Sequence, residues 1–351
     1  MLRILVATLS VAIVTFVDSP RLVDACAGLI GSNGAVNLGR TTTLAAYHDG
    51  VEHYVTSFEF LGGGGEFGTL IPLPGVPTSV ERGGAWTLQR LVLETDPPPP
   101  FAARAAESAG ASADKAEVLL EVRIDALDIT VLKGGSESVA EWAIEHGFNL
   151  SPDAPEVLEF YAQRSPIFLA AVFDGDAAAE RGQALGDGTP VHLTIPTDNP
   201  WVPLRILGLG KQPDDRIEAN VFLLTDERPA ILPGERDGLQ LTHSQAASDL
   251  LLDDLRSDDG MGWIPGSAWL TRLNIDAAAG DLKYDLAVDA SGRGEPSPVA
   301  AGIDASFAAS SGGLKDDLEE PVIWAAIAIA AALLLFQAGR FVGRNPWGRR
   351  Q

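Results

Sequence analysis

The stretch Val322 to Phe336 contains no polar residue, and it limits what this 351-residue chain can build more than any other feature. Gln337, Ala338 and Gly339 extend it to 18 residues, about 27 Å of helix at 1.5 Å per residue. That approaches the hydrocarbon thickness of a bilayer, and Arg340 can snorkel to complete it. Its flanks differ in sign. Asp316, Asp317, Glu319 and Glu320 precede it with Lys315, while Arg340, Arg344, Arg349 and Arg350 follow it with no acid. By the positive-inside rule residues 340–351 form a basic cytoplasmic tail, and the bulk of the chain lies outside. The competing reading is a buried core helix, which the charge asymmetry disfavours.

The other end carries an address of a different kind. One arginine, Arg3, precedes an uncharged run from Ile4 to Val17, which is too short to span a membrane and has the length of a signal-peptide core. Val23-Asp24-Ala25 offers a small-residue cleavage pattern after residue 25, leaving Cys26 first. A lipidated Cys26 is an alternative, to which Asp24 is a poor fit. Cys26 is the one cysteine of the chain, so no intrachain disulfide can form.

The organisation expected is therefore a signal peptide at 1–25, an extracytoplasmic body at 26–290 and a flexible acidic stalk at 291–320. A transmembrane helix at 321–339 and the tail follow. A division of the body near 95–115 is left open by the proline-rich run Pro97 to Pro100 and the Ala/Ser/Gly stretch after it. The net charge of −23 disfavours nucleic-acid partners.

The body reads as β-rich. Val118, Leu120, Val122 and Ile124 are apolar, with Glu121 and Arg123 between the last three, and Leu127, Ile129 and Val131 repeat the pattern. Ile167 to Phe173 is a continuous apolar run, the pattern of a strand covered on both faces, and Ala219 to Leu224 is similar apart from Asn220. Leu282, Tyr284, Leu286 and Val288 suggest a last strand. Three or four short helices are inserted. One is expected from a capping box of Ser138 with Glu141, stopping at Gly147; one starts near Pro155; one runs around Ser244 to Arg256. The fold class is α+β.

Motifs that carry chemistry are scarce. Asp49-Gly50 between extended segments predicts a hairpin that puts His48 and His53 diagonally on one face, about 7–8 Å apart at Cβ. Two imidazoles there could begin a metal site, but no third ligand is close, Glu59 lying further along the same face; the plain reading is two strand histidines. Gly63 to Gly68 satisfies G-x-G-x-x-G, but the prolines of Thr69 to Gly75 forbid the helix that a dinucleotide site requires. Leu207-Gly208-Leu209-Gly210-Lys211 lacks the spacing of a phosphate loop. No G-x-S-x-G is present. The acids around Asp253-Asp254 and Asp258-Asp259-Gly260 do not match a calcium loop. No cofactor or metal is called for, and no catalytic residue can be named.

Prolines 72, 74 and 77 predict that Leu70 to Pro77 is an edge strand or surface strap with its leucines and isoleucine turned inward. The loop Gly62 to Gly65 before it is expected to be exposed and mobile. Glu66 and Phe67 beside it, and Trp201 within Asn199-Pro200-Trp201-Val202-Pro203, are the candidate partner contacts. Core packing is the plainer role for the tryptophans.

Val55-Thr56-Ser57-Phe58-Glu59-Phe60 and Gly65 to Pro77 resemble the bacterial domain of unknown function 2330 family. So do Glu141-Trp142-Ala143-Ile144-Glu145-His146-Gly147-Phe148, Pro203-Leu204-Arg205-Ile206 and Leu270-Thr271-Arg272-Leu273. The resemblance implies an exported bacterial protein, often ending in a membrane span. It implies no activity and supplies no catalytic residues. Many relatives read Cys-Gly-Gly near the start where this chain reads Cys26-Ala27-Gly28. The expectation is a membrane-anchored, non-enzymatic module that binds an envelope protein or polymer. An extracytoplasmic hydrolase acting on envelope polymer or peptide is the alternative.

Overall fold

The computed structural model describes residues 28–31, 41–57, 66–96, 118–124, 127–174, 190–291 and 294–303. The expected signal peptide, the loop Gly62 to Gly65, the stretch 97–117, and the expected membrane span and tail lie outside the described residues. Among the described residues no helix is long and apolar enough to cross a membrane.

Two sheets dominate. The seven-stranded one runs β13(Leu239–Ala246), β14(Trp269–Ala278), β11(Arg216–Thr225), β2(Thr41–His48), β3(Val51–Ser57), β9(Val191–Pro196) and β5(Ser79–Arg82). The five-stranded one runs β1(Gly28–Gly31), β4(Glu66–Pro72), β8(Ile167–Asp174), β7(Leu127–Lys133) and β6(Val118–Ile124). A small sheet of β10(Trp201–Val202), β15(Leu286–Asp289) and β12(Ala230–Leu232) sits beside them. Both larger sheets take strands from either side of residues 97–117.

The apolar runs explain the layering. Along β8, Ile167, Leu169, Ala171 and Phe173 enter the core between the sheets, meeting Tyr54, Leu193, Val221 and Leu223 of the larger one. Phe168, Ala170 and Val172 point the other way, under helices α2(Ser136–Glu145) and α3(Ala154–Ala162). Strand β11 behaves alike: Ile217, Ala219, Val221 and Leu223 face inward, while Phe222 and Leu224 face helices α1(Thr87–Thr95) and α4(Asp249–Ser257). The result is helix, sheet, sheet, helix, which requires strands apolar on both faces. Each fully buried Leu, Ile or Phe contributes roughly 1.5–3 kcal/mol relative to exposure.

Local expectations fared unevenly. Asp49 (φ 51°) and Gly50 (φ 78°) form the hairpin turn, with His48 opposite Val51 and Ala46 opposite His53. Helix α2 begins at Ser136, two residues before the expected capping box, because the chain turns at Gly134-Gly135; Ser136 Oγ donates to Glu159 instead. It stops at Gly147 (φ 77°), and α3 carries its proline in the first turn. The third expected helix starts at Asp249 under a Ser248 cap, since Ser244 to Ala246 belong to β13.

The edge reading of Leu70 to Pro77 needs correction at its start. Strand β4 lies between β1 and β8, but β1 pairs only as far as Leu70. Leu73 N–H donates to Ile167 O, so Pro72, one residue earlier, turns its missing donor away from β8, where β1 has ended. Leu70, Ile71 and Leu73 are buried, whereas Val76 is 48% exposed. Within the range expected to be a stalk, Ala300 and Ala301 are buried under α3, and Asp285 N–H donates to Ala301 O.

Candidate functional site: a charged cleft beside α3

The fold buries one acid at the base of this site. Asp285, fully buried, accepts from the Tyr161 hydroxyl (2.8 Å), the Arg164 guanidinium (2.5 Å), and the backbone amides of Leu204 (2.7 Å) and Arg205 (3.0 Å). Tyr161 OH in turn accepts from Ile206 N–H, and Asp285 nearby helps push its own ionisation upward, after burial. Arg164 lies over the rings of Phe160, Tyr161 and Trp201 and donates to Ala300 O. A buried charge so fully hydrogen-bonded is a fixed point.

That fixed point aims Arg205, whose guanidinium sits 4.2 Å over the Phe160 ring and pairs with Glu156 at the start of α3. Next comes a 3₁₀ turn, Arg205–Gly208, then Gly210 (φ 75°), whose amide donates to the Asp153 carboxylate. A second 3₁₀ turn, Ala279–Asp281, closes from below: Ala279 N–H donates to Asp215 O and Gly280 N–H to Pro213 O. A Cβ on Gly280 would stand 3.1 Å from Pro213 Cβ, so glycine permits that approach.

Between these three walls is a cleft of about 680 Å³, within the size range of small-molecule sites. Ser151, Asp153, Glu156, Arg205, Lys211, Asp214, Asp281 and Lys283 supply its polar lining. Ser151 Oγ is buried there with no hydrogen-bond partner.

The expected histidine face exists but is a different object. Asp226, His48, His53, His192 and Glu81 lie on the α1/α4 side of the large sheet: His48 and His53 stand diagonally on β2 and β3, His192 of β9 pairs with Val55 of β3 and Glu81 of β5, and Asp226 follows β11. His48 Nδ1 bonds Asp226 (2.5 Å), and His53 Nδ1 lies 2.9 Å from His192 Nε2. Trp263 stacks on His53 at 4.0 Å and 4°. Burial lowers both His53 and His192 to about 4, helped by His48 for the first and His53 for the second. Among the described residues no group of three or more His, Cys, Asp or Glu converges on a metal position. On the opposite face of β3, Glu52 is fully buried with both carboxylate oxygens unpartnered, and burial raises it to about 8. The Trp201 amide pulls the other way without reaching hydrogen-bonding geometry.

Of the residues singled out from sequence, Trp201 is 4% exposed and stacked on Tyr161, so it supports the cleft from within and presents no face to a partner. Glu66 and Phe67 open β4, away from the cleft lining. Two sequence features do fall on the cleft: the Leu204-Arg205-Ile206 segment and the Leu207 to Lys211 run that lacked phosphate-loop spacing. Asp285 gave no sequence signal.

A family model described as uncharacterized protein conserved in bacteria, DUF2330, matches residues 25–279. The chain belongs to this family. The DUF2330 match covers both large sheets and most of the cleft, ending within the Ala278 to Lys283 wall. No curated protein matches the sequence. Among solved structures, baculovirus P35 is similar at 9% identity and a TM-score of 0.40, covering 73% of this chain and 97% of that one. The caspase-8/P35 complex is similar at 8% identity and a TM-score of 0.37, over 72% and 96%. Likenesses of that size carry no functional argument for the DUF2330 chain.

Proposed function

We propose that this protein is a membrane-anchored extracytoplasmic binding module whose ligand site is the cleft beside α3. The observation that carries the reading is the cleft itself: its rim is locked by Arg205–Glu156 and Gly210–Asp153, while the exposed side chains of Asp214, Asp281 and Lys283 have no hydrogen bond or ion pair among the described residues. A rim fixed by its own hydrogen bonds lowers the ordering cost of binding. Anchoring and orientation rest on the charge asymmetry around Val322 to Gly339 and on the N-terminal leader.

An environment-sensitive dye tests the site. In a Cys26→Ser background, one dye is attached at Gln212→Cys in the cleft and another at Lys133→Cys on β7. Soluble envelope extract should change the emission of the first and leave the second unchanged. Equal responses, or none, would refute the cleft as the ligand site.

A further inference from the structure

We infer that the cleft takes a short peptide with free termini, a ligand carrying an ammonium, a carboxylate and amide groups together; this rests on the cleft being the ligand site. The argument separates the polar groups already engaged from those still open. Asp153 is engaged by Gly210 N–H, Glu156 by Arg205, and Asp215 by Gln212 N–H at 2.8 Å and, through its carbonyl, by Ala279 N–H. These bonds hold the walls together and leave little for a ligand.

Four side chains remain, Gln212, Asp214, Asp281 and Lys283, exposed at the rim and without side-chain hydrogen bonds or ion pairs among the described residues. Three of them are charged. Two acids and one cation around one cleft oppose a multiply charged anion, since phosphate would meet Asp214 and Asp281 with a single open lysine against them. A polycation meets Lys283. A neutral sugar leaves all three charges unused. A peptide zwitterion matches them: ammonium to Asp214 and Asp281, and carboxylate to Lys283. Gly208, Gly210 and Gly280 keep the walls free of side chains, so backbone groups of the walls face the ligand as well.

Calorimetric titration of the full-length protein in detergent tests this with tetra-alanine as probe, and with its N-acetylated and C-amidated forms. Free tetra-alanine should bind, and blocking either terminus should weaken binding about tenfold, the size of one exposed charge-assisted contact. Lys283→Gln should weaken free tetra-alanine about tenfold and leave the amidated form unchanged; Asp214→Asn with Asp281→Asn should do the same toward the acetylated form. A folding defect would weaken all forms alike, so the pattern separates recognition from structure. Equal binding of free and capped peptides overturns the inference. So does preferential binding of inorganic phosphate or of chitotriose; loss of that binding in Ser151→Trp would then show the cleft to be a site for another ligand. Absence of binding by every probe overturns the peptide inference and, with a silent dye at position 212, the cleft reading too.

Discussion

The Asp285 carboxylate accepts the backbone amide of Arg205 at 3.0 Å, so a fully buried acid holds the residue that forms the cleft rim. Asp285 is also the counter-charge of Arg164. Asp285→Asn removes that charge and leaves the guanidinium, itself nearly buried, unpaired. The expected loss is about 3–5 kcal/mol. Urea unfolding monitored by tryptophan emission measures it, and a loss under 1 kcal/mol would show that the hub does not fix the rim.

A second acid ties the opposite helical layer together. Asp258, just after α4, accepts from the amides of Ala85, Trp86 and Thr87 and from the Thr87 hydroxyl, so it caps α1 from another element. Gly84 packs so closely that a Cβ there would run into Asp258 Oδ2 and stand 2.5 Å from Thr87 Oγ1. Asp258→Ala should cost about 2 kcal/mol, the upper end for a helix cap. Gly84→Ala should cost about 1–3 kcal/mol through overpacking. Because both act on one contact, the double variant should lose less than the two losses added.

The titrating groups of β3 and β9 set the pH dependence. His53 and His192 have folded-state values near 4 against 6.5 unfolded, so the unfolded chain binds more protons between those limits. Their contribution is complete above pH 6.5 and is lost as pH falls toward 4. Glu52 works in the opposite sense: raised from 4.5 to about 8, it is fully tolerated below pH 4.5 and lowers stability as pH rises to 8. Glu52→Gln should therefore be more stable than wild type, by a margin growing at most about 1.4 kcal/mol per pH unit from 4.5 to 8. Melting temperatures across that range decide it; parallel curves would mean that Glu52 is not the buried acid described.

The Asp49-Gly50 turn gives a clean backbone test. A Cβ at Gly50 would meet nothing within 4 Å, so Gly50→Val has no packing penalty and reports only the positive φ. The expected loss is about 1 kcal/mol or more. An unchanged midpoint in chemical denaturation would contradict a strained turn position.

What the sequence made legible follows from the range of the interactions. Strands β8 and β11 were readable because being buried on both faces writes continuous apolar runs, Ile167 to Phe173 and Val221 to Leu224, into neighbouring positions. The hairpin register was readable because two residues decide it. Proline placement was half readable: Pro72 does sit where no partner strand reaches, but only pairing across 41 residues shows that β1 covers the strand before it. The cleft was illegible. Its rim depends on Asp285 meeting residues 80 and more positions earlier, and on Gly280 meeting Pro213, which leave no local pattern. Trp201 looked available because its flanking prolines mark an extended segment, and nothing nearby in sequence announces that Tyr161 and Arg164 cover it.

The central claim is an outward-facing ligand cleft on an anchored body. The rate at which a membrane-impermeant maleimide labels Gln212→Cys at the cleft rim in spheroplasts, in the Cys26→Ser background, tests it most directly. The account predicts labelling before lysis and slower labelling in the presence of tetra-alanine. Labelling only after lysis would contradict the topology, and an unchanged rate with the peptide would contradict the site.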